Sequence, residues 1–428
     1  MDLKTDVVII GAGGGGAILG LILSRMGIAH IILEQAEGPP GGLRGEILQP
    51  NGQQLLQELQ LLDRLPQESF KPVRFFHFRR SGGARLCSID YGMLPPPFNQ
   101  ALVVWPNVVH RTILDQHQRE CPQRLYFGST FERVLRHTGR IIGVEGRRNS
   151  EPFRIEARVV VGADGPFSRV REEFGIAYSL HRYRDSYLIA MLDAPGSFDE
   201  AQYYVGRKTI LGLFPASGNK AYAFYMVGSD SLPALKHQGV EPLQRAWNTI
   251  APGHESMFAT LRDWSQTGYM GTGRVKAKTW VVDGGVLIGD AAHGMNPHAS
   301  QGRMQAMVDA TVLGPVLARC FEKENWSASA LQSFELARRK QVDMLQQFAD
   351  EEVFFWNTGN PVMEWLRDRV FRTMDGNPRL KYQVLTATAG LRESPPFGWM
   401  DRLQAAGFLP DSKSQQIPVH DKTFFNPA

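Results

Sequence analysis

The chain has 428 residues, 43% of them hydrophobic and 21% charged, the balance of a globular protein long enough for two closely joined domains and neither disordered nor fibrous. Its 47 Lys and Arg against 43 Asp and Glu leave a net +4, with basic clusters no denser than Arg79-Arg80 and Arg147-Arg148, which excludes the stripe that nucleic-acid binding requires. The three cysteines, Cys87, Cys121 and Cys320, show neither pairable nor metal-ligand spacing, so neither a disulfide framework nor a zinc site is expected, and a reducing cytoplasm is the default setting.

Asp6-Val7-Val8-Ile9-Ile10 is a short apolar run of the kind that forms a buried parallel strand. It feeds into Gly11-Ala12-Gly13-Gly14-Gly15-Gly16, where Gly11, Gly13 and Gly16 fit G-x-G-x-x-G: a tight turn, close approach of backbone to a pyrophosphate, and close packing of helix on strand. Five glycines in these six positions interrupt the apolar N-terminus, and no positive region with a cleavage site precedes them, so neither a signal peptide nor a membrane span is expected. A helix over about 17–26 would aim its N–H groups at phosphates. A second strand, 30–34, ends in Glu34, at the distance where an acid bonds ribose hydroxyls, which suits FAD or NAD better than NADP.

Residues 41–65 carry Arg44-Gly45-Glu46 and then a helical pattern (Leu55, Leu56, Leu59, Leu62) with Asn51 as its cap. Segments 75–78, 85–91 and 101–105 read as strands that interrupt the nucleotide domain. Asn107 or a neighbour starts a helix containing Arg111. Two strands, about 129–135 and 140–145, precede Val159-Val160-Val161-Gly162-Ala163-Asp164-Gly165, followed by Ser168 and Arg171. Between 186 and 273 the pattern changes to period two, at 187–192, 202–205, 210–214 and 221–227, a mostly antiparallel sheet with Tyr203, Phe214, Tyr222 and Phe224 on one face. Segments 276–282 and 285–288 return the chain to the nucleotide domain and to Gly289-Asp290-Ala291-Ala292-His293, a turn from which a small-residue loop runs through Pro297 to a helix starting near Ser300-Gln301-Gly302. Beyond Ala310 the chain reads as helical: 311–320, 327–348, 361–374 and 380–388. In 361–374, Val362, Trp365, Leu366, Val370 and Phe371 oppose Arg367, Asp368, Arg369 and Arg372, a face expected to pack on the first domain, with contact to a membrane surface as the alternative.

These three nucleotide motifs, in this order, resemble the class A flavoprotein monooxygenases of the para-hydroxybenzoate hydroxylase family, over roughly residues 1–315. The resemblance implies an α/β fold: a Rossmann-like FAD-binding domain (1–72, 101–180 and 274–320) interleaved with an antiparallel-sheet substrate domain (73–100 and 181–273), then a C-terminal helical region (321–428). It implies Gly11, Gly13, Gly14, Gly16, Glu34, Arg44, Arg111, Phe131, Asp164, Asp290, Pro297, Gly302 and Arg303 as FAD contacts. Tyr203, Phe214, Tyr222 and Phe224 would roof the substrate pocket. Pro297, His298 and Arg303 would form the flavin's catalytic environment, with His293 a structural residue of its signature. NADH or NADPH would visit transiently to reduce FAD; O₂ would add at C4a, and the hydroperoxyflavin would deliver one oxygen atom to an apolar aromatic or polycyclic small molecule. A monomer or homodimer is expected. The chain departs from the family's Gly-Gln-Gly-x-Asn at Ser300 and Met304. Two rival classes share the fold: flavin reductases of the geranylgeranyl reductase type, and non-catalytic binders.

Overall fold

The computed structural model describes residues 2–43, 46–228 and 231–417. Its first sheet has Asp2–Ile10 at the centre, paired in parallel with His30–Leu33 on one side and Glu151–Gly162 on the other. Leu125–Tyr126 and Gly285–Leu287 extend it in parallel at either flank, and Ser129–His137 and Arg140–Arg148 add an antiparallel ribbon. Val7, Val8 and Ile9 are fully buried, as a central parallel strand covered on both faces requires. The helix Gly14–Arg25 packs between Val108–Glu120 and Gly302–Glu322.

The second sheet has seven strands in the order Thr267–Met270, Asp185–Asp193, Lys220–Gly228, Thr209–Ala216, Ala201–Gly206, Phe75–Arg80, Arg85–Asp90. All neighbours are antiparallel except Phe75–Arg80 with Ala201–Gly206. Alternation sorts its side chains: Tyr187, Ile189, Tyr203, Phe214 and Tyr222 face one core, and Leu188, Ala190, Leu192, Leu211 and Leu213 another. Three short helices that period-two reading misses, Leu232–His237, Glu241–Ile250 and Glu255–Phe258, cover the second face with Trp247 and Phe258. The C-terminal helices are Ala328–Trp356, Pro361–Asp375, Pro378–Thr388 and the unforeseen Trp399–Ala405. No described helix is long and apolar enough to cross a membrane.

Three expectations need correction. Asn51 is not a cap: Gln49 is the N-cap of Pro50–Glu58, and Asn51 lies buried inside the helix, bonded to Gln301. The helix Pro361–Asp375 keeps its expected faces only in part, with Phe371 buried and Arg369 and Arg372 exposed. Its Arg367 and Asp368 are buried while Val362 and Trp365 are exposed, and it packs on Arg85–Asp90 of the second sheet rather than on the first domain. Arg367 donates to the carbonyls of Gly206 and Trp356 and to Asp368, so its charge and N–H groups are satisfied inside. Spacing also hid one grouping, His30, His117 and Cys121, whose ligating atoms lie within 4.8 Å of one another; the two histidines hydrogen-bond each other through their Nε2 atoms at 2.8 Å.

Candidate active site

The glycine turn is dictated by its neighbours. Gly11 takes φ +103°, and a Cβ there would lie 2.4 Å from the Ala163 carbonyl oxygen, so only glycine fits. Gly16 closes the turn from the other side, its Cβ position 2.0 Å from the Gly11 oxygen. Gly13 faces open space, with nothing within 4 Å of where a Cβ would sit. As the N-cap of Gly14–Arg25 it supplies no side-chain cap, leaving first-turn N–H groups for an external acceptor such as a pyrophosphate. Glu34 brackets the same turn: Oε2 accepts from Ala12 N–H at 2.8 Å and Oε1 from Ala36 N–H at 2.9 Å. Carboxylate oxygens keep further lone pairs for a ribose hydroxyl. Open glycine backbone, uncapped helix and adjacent acid together fit the nucleotide end of FAD.

The opposite wall is pinned by a buried ionic cluster. Asp309, on Gly302–Glu322, accepts from Gly289 N–H at 2.8 Å, bonds His293 Nε2 at 2.6 Å and receives Arg338 Nε at 2.9 Å. Burial pushes its carboxyl up, but the charges of His293 and Arg338 outweigh that and hold it below the usual carboxylate range. Gly289, at φ +59°, thereby turns the exposed Asp290 into the cleft. The Gly302–Glu322 helix also begins without a side-chain cap, its first N–H groups open to the cleft beside Pro297. Gln301 anchors this corner by bonding Asn51 and the Thr388 carbonyl. Met304, where the family pattern has asparagine, is buried against Gly52, whose Cβ would come within 2.2 Å of its sulfur.

The cleft so formed has a volume of about 550 Å³. Gly13, Gly14, Asp290, Pro297, Gly302 and Arg303 line one side, and Tyr203, Phe214, Tyr222 and Phe224 line the other. Phe224 stacks on Tyr187 with centroids 4.2 Å apart, and Tyr222 donates to the Val104 carbonyl, so the aromatic wall is held rigid from behind.

Several residues act otherwise than their motif suggests. Arg303 is neither a free cation nor solvent-facing: Nη1 donates to both oxygens of buried Glu46 at 2.8 and 2.9 Å, which neutralises it. Burial raises the Glu46 carboxyl despite this partner. His298 lines the cleft, and burial lowers its imidazole to about 3, which leaves the ring neutral near pH 7. Its Nε2 is hydrogen-bonded to the Tyr187 hydroxyl, and its Nδ1 has no partner among the described residues. Asp164 accepts from Ser168 Oγ and Val170 N–H, so its carboxylate orders the following turn while neighbouring Ala163 and Gly165 line the cleft. Phe131 is buried in the core of the first sheet, away from the cleft. Arg111 points outward and donates to the Pro40 carbonyl; the cleft-lining side chain of that helix is His110, one residue earlier, bonded to the Ala12 carbonyl. Arg44 lies outside the described residues.

A family profile described as an FAD binding domain matches residues 4–349. The chain is similar to 6-methylpretetramide 4-monooxygenase of Streptomyces rimosus, 26% identical over 343 residues that make up 79% of this chain and 81% of that protein. It is also similar to digeranylgeranylglycerophospholipid reductase of Methanocella arvoryzae, 24% identical over 359 residues, 79% of this chain and 84% of the relative. Among solved structures, p-nitrophenol 4-monooxygenase from Pseudomonas putida DLL-E4 superposes with a TM-score of 0.78 at 18% identity, covering 91% of this chain and 99% of that one, a likeness of fold.

Proposed function

The chain belongs to the FAD-binding domain family, among the class A flavoprotein monooxygenases, and on that premise we propose that it oxygenates a neutral, flat, largely apolar aromatic or polycyclic molecule. The observation that carries the reading is the cleft itself, where nucleotide-type backbone faces a rigid aromatic wall across one continuous space. FAD supplies the oxygen chemistry when bound, drawing electrons from NAD(P)H and one atom from O₂. The glycine turn and Glu34 would hold its nucleotide end, Asp290 a ribityl or pyrophosphate oxygen, and the N–H groups of Gly302 and Arg303 the pyrimidine edge, where the helix dipole favours negative charge. Pro297 would shape the loop beside the ring.

The charge pattern narrows the substrate. Arg303 is the cation of the described lining and is already matched to Glu46, and His298 is neutral, so nothing described there awaits a substrate carboxylate. Tyr203, Phe214, Tyr222 and Phe224 instead suit flat apolar rings and exclude the water that would intercept a reactive oxygen. The curated relative's name, a pretetramide monooxygenase, supports a polycyclic aromatic substrate.

The test is oxidation of NADH and NADPH by the yellow holoenzyme across a panel of phenols, quinolones and polycyclic quinone precursors, followed by ¹⁸O₂ labelling of the product. One labelled atom per product is expected. Anaerobic reduction of the substrate without oxygen uptake would overturn the proposal in favour of a reductase, and a colourless protein that takes up no FAD would overturn it in favour of a binder.

A further inference from the structure

A second cavity, of about 560 Å³, shares Tyr203, His298 and Ser300 with the cleft as a common wall. It lies between the second sheet and the C-terminal helices, and most of its open surface is apolar, with Phe76, Phe78 and Ile89 from strands and Trp356, Phe371 and Met374 from helices, while Gln49, Gln347 and Arg402 also border it. Phe78 stacks on both Tyr203 and Phe371, at 5.3 and 4.8 Å, so the chamber is built of packed rings rather than loose side chains. Phe354, which also lines it, is 68% exposed.

Three consecutive acids border this chamber and only two are answered. Asp350 is tied to Arg274 and to the Tyr183 hydroxyl, and Glu351 to Arg402 at 2.8 Å. Glu352 is 8% exposed, and its Oε2 has no hydrogen-bond partner among the described residues. Of the buried hydroxyls nearby, Tyr91 already donates to Gln49, and Tyr203 makes no hydrogen bond to Glu352 among the described residues. Burying a carboxyl oxygen without a partner costs the fold stability, and the residue that bears this cost stands in the lining of the chamber. Burial pushes this carboxyl up to about 8, so at neutral pH it is chiefly protonated and offers both a donor and an acceptor. A group of that kind, in a chamber whose open surface is chiefly apolar, favours a neutral polar substituent.

We propose that this chamber is a subsite for the distal part of the substrate, taking an aromatic portion that ends in a neutral hydrogen-bonding group, a phenolic hydroxyl or amide, received by Glu352. The proposal rests on the aromatic-substrate reading and extends it: rings reacting in the cleft would continue past Tyr203 and His298 into the second space.

The test uses the FAD-loaded enzyme and two fluorescent probes of one ring system, 1-hydroxypyrene and pyrene. Wild type should bind the hydroxylated probe at least about tenfold more tightly, the discrimination of a buried polar group that demands a partner. Glu352→Leu should erase that preference while pyrene binds as well or better, and Glu352→Gln should keep part of it. Ala405→Trp, which fills the chamber from a buried wall position, should weaken both probes tenfold or more without loss of bound flavin. Glu352→Leu should also raise Tm, whereas a purely structural Glu352 would make Tm fall. An unchanged probe preference in Glu352→Leu, or unchanged binding in a flavin-loaded Ala405→Trp, would overturn the proposal. Either result beside intact ¹⁸O incorporation would sink the subsite alone. Glu352-dependent probe binding by a protein that fails to oxygenate would leave the subsite standing and sink the monooxygenase reading.

Discussion

Asp309→Asn isolates how far the cofactor wall depends on one buried charge. The substitution keeps shape and removes the negative charge that faces Arg338 Nε at 2.9 Å and His293 Nε2 at 2.6 Å, with all three side chains nearly inaccessible. At an effective dielectric near 20, a pair at this distance attracts by about 6 kcal/mol, part of which is offset by the desolvation of both ions. Removing one partner leaves a buried guanidinium facing an amide, for which about 3–5 kcal/mol of lost stability is expected. That is a large share of the roughly 5–15 kcal/mol that holds a folded protein together. Gly289 N–H loses its charged acceptor at the same time, so Asp290 shifts and FAD affinity should fall together with stability. The assay is urea unfolding of the holoenzyme by circular dichroism, paired with release of flavin fluorescence, for Asp309→Asn, Arg338→Met and the double variant. The double variant should lose clearly less than the two singles combined, because the stranded charge is then absent. A loss below about 1 kcal/mol in Asp309→Asn, or strict additivity with Arg338→Met, would refute the reasoning.

Gly11→Ala forces a Cβ to 2.4 Å from the Ala163 oxygen and should give a destabilised, flavin-poor protein, whereas Gly13→Ala meets nothing within 4 Å and should fold normally with weaker FAD binding; Tm of the apoprotein and bound-flavin absorbance separate the two. Arg303→Met strands buried Glu46 and should cost about 3 kcal/mol, with most of it recovered in Arg303→Met/Glu46→Gln. Glu352 titrates higher in the folded chain than in the unfolded one, so the folded state keeps its proton longer and this group's contribution is fully present below the ordinary carboxyl range. Its contribution falls as pH rises toward about 8, by at most about 1.4 kcal/mol per pH unit, and Glu352→Gln should flatten the decline in Tm between pH 5 and pH 8; equal slopes in the two proteins would contradict the burial argument.

The parts of the molecule legible in the sequence are those where a local pattern and a tertiary demand coincide. Val7 to Ile10 read as a central strand because a strand covered on both faces has no polar side to show, and the Gly11, Gly13 and Gly16 spacing reads as a nucleotide turn because Gly11 and Gly16 each meet close backbone while Gly13 leaves space open for a ligand to approach. The aromatic wall was visible for the same reason: Tyr203, Phe214, Tyr222 and Phe224 each stand in a strand whose alternation fixes their face. Charged residues behave differently, because whether a charge is solvated or buried depends on a partner that the local window does not contain. Arg367 and Asp368 look like the wet side of an amphipathic helix, yet the carbonyl of Gly206 and the side chain of Arg80 make their burial favourable from far along the chain.

The same reasoning bears on substrate choice. Arg303 and Glu46 lie 257 residues apart, so the partner of neither can be read from its own stretch of sequence. Joined, they leave the described lining of the cleft without an unmatched cation. Asp350-Glu351-Glu352 shows the converse. Such a run reads as a solvated acidic face, but Arg274 and Arg402 answer only the first two, so the third becomes the buried group with an unmet hydrogen bond. Pairing therefore leaves Arg303 without an unmatched charge and leaves the unmet hydrogen bond on an acid of the C-terminal helix Ala328–Trp356, outside the three nucleotide motifs.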